Sequence, residues 1–149
     1  MADDTAPNST APNFTVEYRG DLRCELVHTA SGAVVTTDAP VDNRGRGEGF
    51  SPTDLVAAGT GACMLTIMGI RAADSGWDLA GTRLHVDKHM AANPRRIGRI
   101  VVRFALPGGF DEHARTALER AALSCPVKES LAAHVELDVE FEWGAVTGS

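Results

Sequence analysis

Residues 51–70 read Ser51-Pro52-Thr53-Asp54 followed by LVAAGTGACMLTIMGI, and this stretch decides the fold. A hydroxyl, a proline and an acid three places after the hydroxyl form a helix start. Ser51 suits the N-cap, Pro52 the first helical position, where its missing N–H costs nothing, and Asp54 the place of the capping-box acid. Residues 55–70 carry no charge. A bilayer span needs about 20 apolar residues, so the run is short for a membrane; it reads as a helix apolar on every side, buried at the centre of a domain or dimer. Gly59, Gly61 and Gly69 each cost about 1 kcal/mol against alanine in a helix, which predicts a neighbour approaching the backbone closely.

Upstream, residues 38–50 (DAPVDNRGRGEGF) are glycine-rich, charged and aperiodic, a loop of a length more often functional than merely connecting. Before the loop the period is two. Phe14, Val16 and Tyr18 alternate with Thr15, Glu17 and Arg19 as a half-buried strand, and Leu22, Cys24 and Leu26 share a face of the next. With a third strand over residues 33–37 the opening is an antiparallel meander. Residues 1–13 have nothing to bury and read as a disordered arm, leaving residues 14–149 as a single domain.

Downstream, strands over residues 82–90 and 97–106 flank the turn Asn93-Pro94. A helix over residues 111–123 follows, with an acid at its start. Pro126 disfavours helix in the residue before it and suits the first turn of a new one, so Cys125 sits at a helix–helix junction. The last strand, residues 135–143, sets Val135, Leu137, Val139, Phe141 and Trp143 against Glu136, Asp138, Glu140 and Glu142. The order βββα, ββ, αα, β fits one α+β domain.

The 149 residues hold 14 Lys+Arg against 20 Asp+Glu, a formal net charge of -6. That balance argues against nucleic acid or an anionic membrane as partner, because no basic patch is segregated from the acids. Residues 1–13 lack an apolar core and a basic start, so the expected compartment is the cytoplasm. His85, Asp87 and His89 share a strand face but lack a third ligand and supporting shell, and phosphate-loop, dinucleotide and serine-hydrolase motifs are missing; neither metal nor cofactor is expected.

The three cysteines, 24, 63 and 125, form no CxxC and no even-numbered framework. Cys24 alternates with Leu22 and Leu26 and reads as core. Cys63, in mid-helix, fits either an inert buried thiol or a reactive one. Cys125, beside the positive end of a helix, fits either a half-buried turn cysteine or a reactive thiol whose ionisation the N–H groups favour.

Ser51-Pro52-Thr53-Asp54-Leu55 opening a small-residue apolar helix, Ala62-Cys63 nine residues after the acid, and Ser124-Cys125-Pro126-Val127 some sixty residues later together resemble the OsmC/Ohr superfamily, the osmotically inducible and organic hydroperoxide resistance proteins. The resemblance covers roughly residues 14–143. It implies an OsmC-like fold with antiparallel sheets packed around a long buried central helix, in an intertwined homodimer with the site at the subunit interface. It also implies a cofactor-free peroxidase for organic hydroperoxides, recycled by a dithiol reductant, in which Cys63 attacks the peroxide and Cys125 resolves the product as a disulfide. In the hydroperoxide-reducing branch a glutamate ten residues before the cysteine pairs with an arginine from the N-terminal strands. Thr53 holds that position here, and Asp54 matches the acid of another branch. For the arginine Arg23 is the first choice, with Arg19, Arg44 and Arg46 as alternatives. The other reading of the departure at Thr53 is a stress or small-molecule-binding protein on the same scaffold.

Overall fold

A computed structural model describes residues 10–147. In chain order its elements are β1 (Phe14–Gly20), β2 (Arg23–His28), β3 (Val34–Asp38), a 3-10 turn (Val41–Asn43), α1 (Pro52–Ser75), β4 (Arg83–Ala91), β5 (Arg96–Pro107), α2 (Glu112–Leu123), α3 (Pro126–Ser130) and β6 (Glu136–Val146). This is the α+β order that the periodicities predict. The chain divides into two compact units, one reaching Pro52 and the other starting at Thr53.

The first unit is the antiparallel meander β1-β2-β3. Its register sets Glu17 opposite Glu25, a repulsive pair that Arg19 bridges at 3.3 and 2.7 Å. On the other face Phe14, Val16 and Tyr18 oppose His28, Leu26 and Cys24. The expectation of a half-buried first strand is corrected, because Phe14 is 61% exposed and Val16 and Tyr18 are 64% exposed. Alternation identifies the apolar face of a strand but does not say that the same chain covers it. Residues 1–9 of the expected arm lie outside the described residues. Pro12 and Asn13 are tied down, their carbonyls accepting from the Thr29 hydroxyl at 2.7 Å and the Thr29 N–H at 3.1 Å.

In the second unit the strand order is β4-β5-β6, with β4 antiparallel and β6 parallel to β5. The expectation of wholly antiparallel sheets is therefore corrected for this sheet. Between β5 and β6 the chain passes through α2 and α3, and a crossover of that length returns a strand in the same direction. Ile100, Val102, Phe104 and Leu106 point from β5 into a core shared with Met64 and Met68 of α1 and Leu118 and Ala122 of α2. Phe104 stacks on Phe141 of β6 with ring centroids 4.9 Å apart. At about 1.5–3 kcal/mol for each large apolar side chain fully buried, this layer of helices on one sheet face carries most of the unit's stability.

With 24 residues α1 is long and apolar enough to cross a bilayer by length and composition. Its stripe Ala57, Thr60, Gly61, Met64, Met68 and Ala72 is nonetheless buried within the chain, the arrangement of a core helix. Burial on every side is not what the chain provides: Val56 and Ile70 are 45% and 55% exposed. The glycines divide in the same way. A Cβ on Gly61 would stand 2.7 Å from Leu84 Cδ2 and 2.8 Å from Val86 Cγ2, whereas at Gly59 and Gly69 it would meet nothing within 4 Å among the described residues.

Candidate active site

Cys63 stands near the middle of α1, half-buried and packed against the second unit's core. Opposite it the chain leaves α2 through Ser124, whose N–H donates to the Arg120 and Ala121 carbonyls, and Pro126 starts α3. Cys125 is the residue between, at the N-cap of α3 and wholly buried. Residues sixty-two apart in sequence are thus brought together, and the two thiols share a hydrogen bond.

Burial, the largest effect, and then the hydrogen bond to Cys63 hold the Cys125 thiol above the ordinary cysteine value. The Lys128 and Val127 N–H groups pull it down without closing a cap hydrogen bond. The expectation that the helix start favours a Cys125 thiolate is corrected, since α3 is five residues long and its terminus is outweighed by desolvation. Cys125 is therefore a thiol at neutral pH, with its S–H donating to the Cys63 sulfur.

Asp54 lies in the first turn of α1, with an Oδ1 2.6 Å from Lys88 Nζ of β4; the same ammonium donates to Thr53 Oγ1 at 2.8 Å. Nine helical residues make about 2.5 turns and roughly 13 Å of rise. Asp54 therefore projects from the side of α1 opposite Cys63, and a single chain does not bring the two together.

Arg23, on β2 in the first unit, is held by Glu48 of the glycine-rich loop and faces Asp38 of β3 at 3.7 Å. Asp38 is buried, and its Oδ2 accepts the Glu48 N–H at 2.9 Å. That N–H, with the Arg23 charge, keeps its carboxyl below the usual aspartate value against the opposing effect of burial. Of the alternative arginines, Arg19 is engaged by Glu17 and Glu25, Arg46 approaches Asp21 at 4.0 Å, and Arg44 ends the 3-10 turn in the left-handed region.

Sequence reasoning passed over Lys88, Asp38 and Glu48. Lys88 had a signal, a lone charge on the face that also carries Leu84, Val86 and Met90, and such a charge needs a partner. Asp38 at the start of the aperiodic loop and Glu48 within it offered none. Asp87 of the His85–His89 strand pairs with Arg103 at 2.8 Å, and among the described residues no three His, Cys, Asp or Glu side chains cluster as metal ligands.

A groove of about 530 Å³ runs between α1 and α2, floored by Ile67, Ile70, Ala117 and Ala121. It begins one helical turn from Cys63, at Ile67, and one residue before Cys125, at Ser124. The thiol pair thus lies just beyond the end of a furrow with an apolar floor, edged by Arg71, Asp74 and Arg120.

A family model described as OsmC-like protein matches residues 45–140. Among solved structures, one from Psychrobacter arcticus 273-4, named for an osmotic stress induced and detoxification response, is 39% identical with a TM-score of 0.85, over 92% of this chain and 100% of that one. An organic hydroperoxide resistance protein from Elizabethkingia anophelis is 15% identical with a TM-score of 0.69, over 89% and 97% of the two chains. Another from Legionella pneumophila, also named OsmC, is 18% identical with a TM-score of 0.66, over 90% and 99%. At such identities the last two show a common fold. No curated protein sequence matches the chain. The matched segment includes the cysteine helix and the Cys125 junction, and together with the 39% identical structure it establishes that the chain belongs to the OsmC-like protein family.

Proposed function

We propose that this protein is a cysteine peroxidase that reduces organic hydroperoxides in oxidative stress defence, working as a cytoplasmic homodimer. The hydrogen-bonded Cys63–Cys125 pair just beyond the end of a groove with an apolar floor is the observation that carries the reading. The Cys63 thiolate attacks the distal oxygen of ROOH, the O–O bond breaks, and the alkoxide leaves as ROH after taking a proton. The Cys63 sulfenic acid that remains is attacked by the Cys125 sulfur, water leaves, and a disulfide forms. An external dithiol then reduces the disulfide by exchange. Arg23 is the cation proposed to favour the Cys63 thiolate, and Asp54 anchors the start of the cysteine helix through Lys88. The apolar floor of the groove favours alkyl and aryl hydroperoxides over hydrogen peroxide, which buries no carbon. Exposed Phe14, Val16, Tyr18, Val56 and Ile70 support the dimer, since they supply apolar surface for a second copy to cover.

The test is a thiol count after one equivalent of cumene hydroperoxide. Turnover predicts loss of two thiols per chain as a Cys63–Cys125 disulfide, with no peroxide consumed by Cys63→Ser and a trapped sulfenic acid in Cys125→Ser. Full consumption by Cys63→Ser would overturn the mechanism. A second reading, a binding or stress protein without turnover, draws support from the carboxylates that hold Arg23 and from the distance of Asp54 from Cys63. It predicts that no thiols are lost.

A further inference from the structure

We infer that oxidation of the Cys63–Cys125 pair loosens α3, so that this short helix reports the redox state of the thiols on the protein surface. The inference rests on the pairing of those two cysteines in the proposed function, and it follows from how unequally their backbones are held. Cys63 lies eleven residues from the start of α1 and twelve from its end, with helical hydrogen bonds on both sides and wholly buried Met64 beside it. It cannot move without displacing the core.

Cys125 has no such frame. α3 is a single turn, far below the length at which a helix persists by itself, and it has no buried residue. Val127 and the following Leu131 pack against the core in part, and the one wholly buried anchor is the residue at its head. Cys125 is wholly buried, its carbonyl accepts the Glu129 N–H at 3.2 Å, and the Leu131 N–H closes the other end on the Lys128 carbonyl at 3.2 Å. The Ser130 hydroxyl adds a bond to the Pro126 carbonyl at 2.9 Å.

In the reduced chain the sulfurs are hydrogen-bonded, and a disulfide requires them to approach to covalent distance, about 2 Å. The step is balanced: the sulfenic acid of Cys63 and the thiol of Cys125 give the S–S bond and water, with the hydroperoxide as oxidant. Because α1 is rigid there, Cys125 makes the movement and carries its carbonyl with it. The Glu129 hydrogen bond is the first to be lost, which leaves the single turn held by the partial packing of Val127 and Leu131 and by the bonds at its far end. The surface of Lys128, Glu129 and Ser130 then differs between the two redox states, which gives a dithiol reductant a way to tell oxidised chains from reduced ones.

Amide hydrogen exchange at residues 127–131 tests this on the full chain, reduced and after oxidation by diamide, which makes the disulfide without any peroxide. The expected result is exchange at Glu129 and Leu131 at least tenfold faster in the disulfide form, with the α1 amides unchanged. Cys63→Ser treated in the same way should show no change. Unchanged exchange in a chain whose disulfide is verified by mass, or an equal change in Cys63→Ser, would overturn the inference. If diamide forms the disulfide and loosens α3 while hydroperoxide does not react, the peroxidase reading fails and the inference stands.

Discussion

Cys125 shows how one residue can defy the local rule that describes it. Its place before a helix-starting proline argues for a thiolate, yet the fold buries it completely and sets its S–H in a hydrogen bond with Cys63, so the thiol is favoured. The consequence for stability has a definite sign. A group whose folded pKa is raised contributes stability that is fully present below its unfolded value, near 8.5 for a cysteine, and lost as pH rises through the folded value. Unfolding free energy, measured with urea from pH 7 to 10 under reducing conditions, should therefore fall above about pH 8.5 by up to roughly 1.4 kcal/mol per pH unit from this group alone. Cys125→Ala will be less stable at every pH because it leaves a cavity, but its curve should lack that part of the fall. Parallel curves for the two proteins would place the titrating group elsewhere.

The elements differ in how far the sequence announces them. Pro52 and Asp54 mark the start of α1, and Asp111 marks that of α2, where its side chain accepts the Ala114 N–H at 2.8 Å. These signals are legible because a cap acts within three or four residues. The direction of β6 is not legible, since Leu137, Val139, Phe141 and Trp143 alternate identically whether the strand runs with β5 or against it. Nor is the partner of Lys88, which lies thirty-four residues away at the head of α1. The glycine cost in α1 was legible as a cost but not as a set of contacts, and only Gly61 proves to be a point of close packing. Gly61→Ala should therefore destabilise the chain by about 1–2 kcal/mol, because crowding against Leu84 and the stiff Val86 exceeds the roughly 1 kcal/mol of helix propensity gained. Thermal unfolding of this variant checks the sign, and a rise in Tm would mean that β4 yields easily to the added methyl.

At the scale of the molecule, the hydrophobic pattern promises more burial than one chain delivers. The second unit closes a core between its sheet and two helices, while the first unit is a thin sheet with Phe14, Val16 and Tyr18 in the open, and α1 shows Val56 and Ile70 on its outer side. Periodicity cannot separate a face buried by its own chain from one reserved for another, which is why the first strand is more exposed than its alternation predicts and why a helix expected at the centre of a domain or dimer is only partly covered by one chain. If a second copy covers these surfaces, as the proposed dimer requires, charge placed there acts on association and spares the fold. Ile70→Asp adds a carboxylate at a position already 55% exposed, so the single chain has no reason to unfold. In a dimer the same carboxylate would be desolvated twice, once in each copy, at a cost of several kcal/mol per ion. Sedimentation velocity should then show a dimer for the natural sequence and a monomer with unchanged circular dichroism for Ile70→Asp. A variant that sediments as a dimer with undiminished affinity would remove the outer side of α1 from the interface and leave the first sheet as the surface to test next.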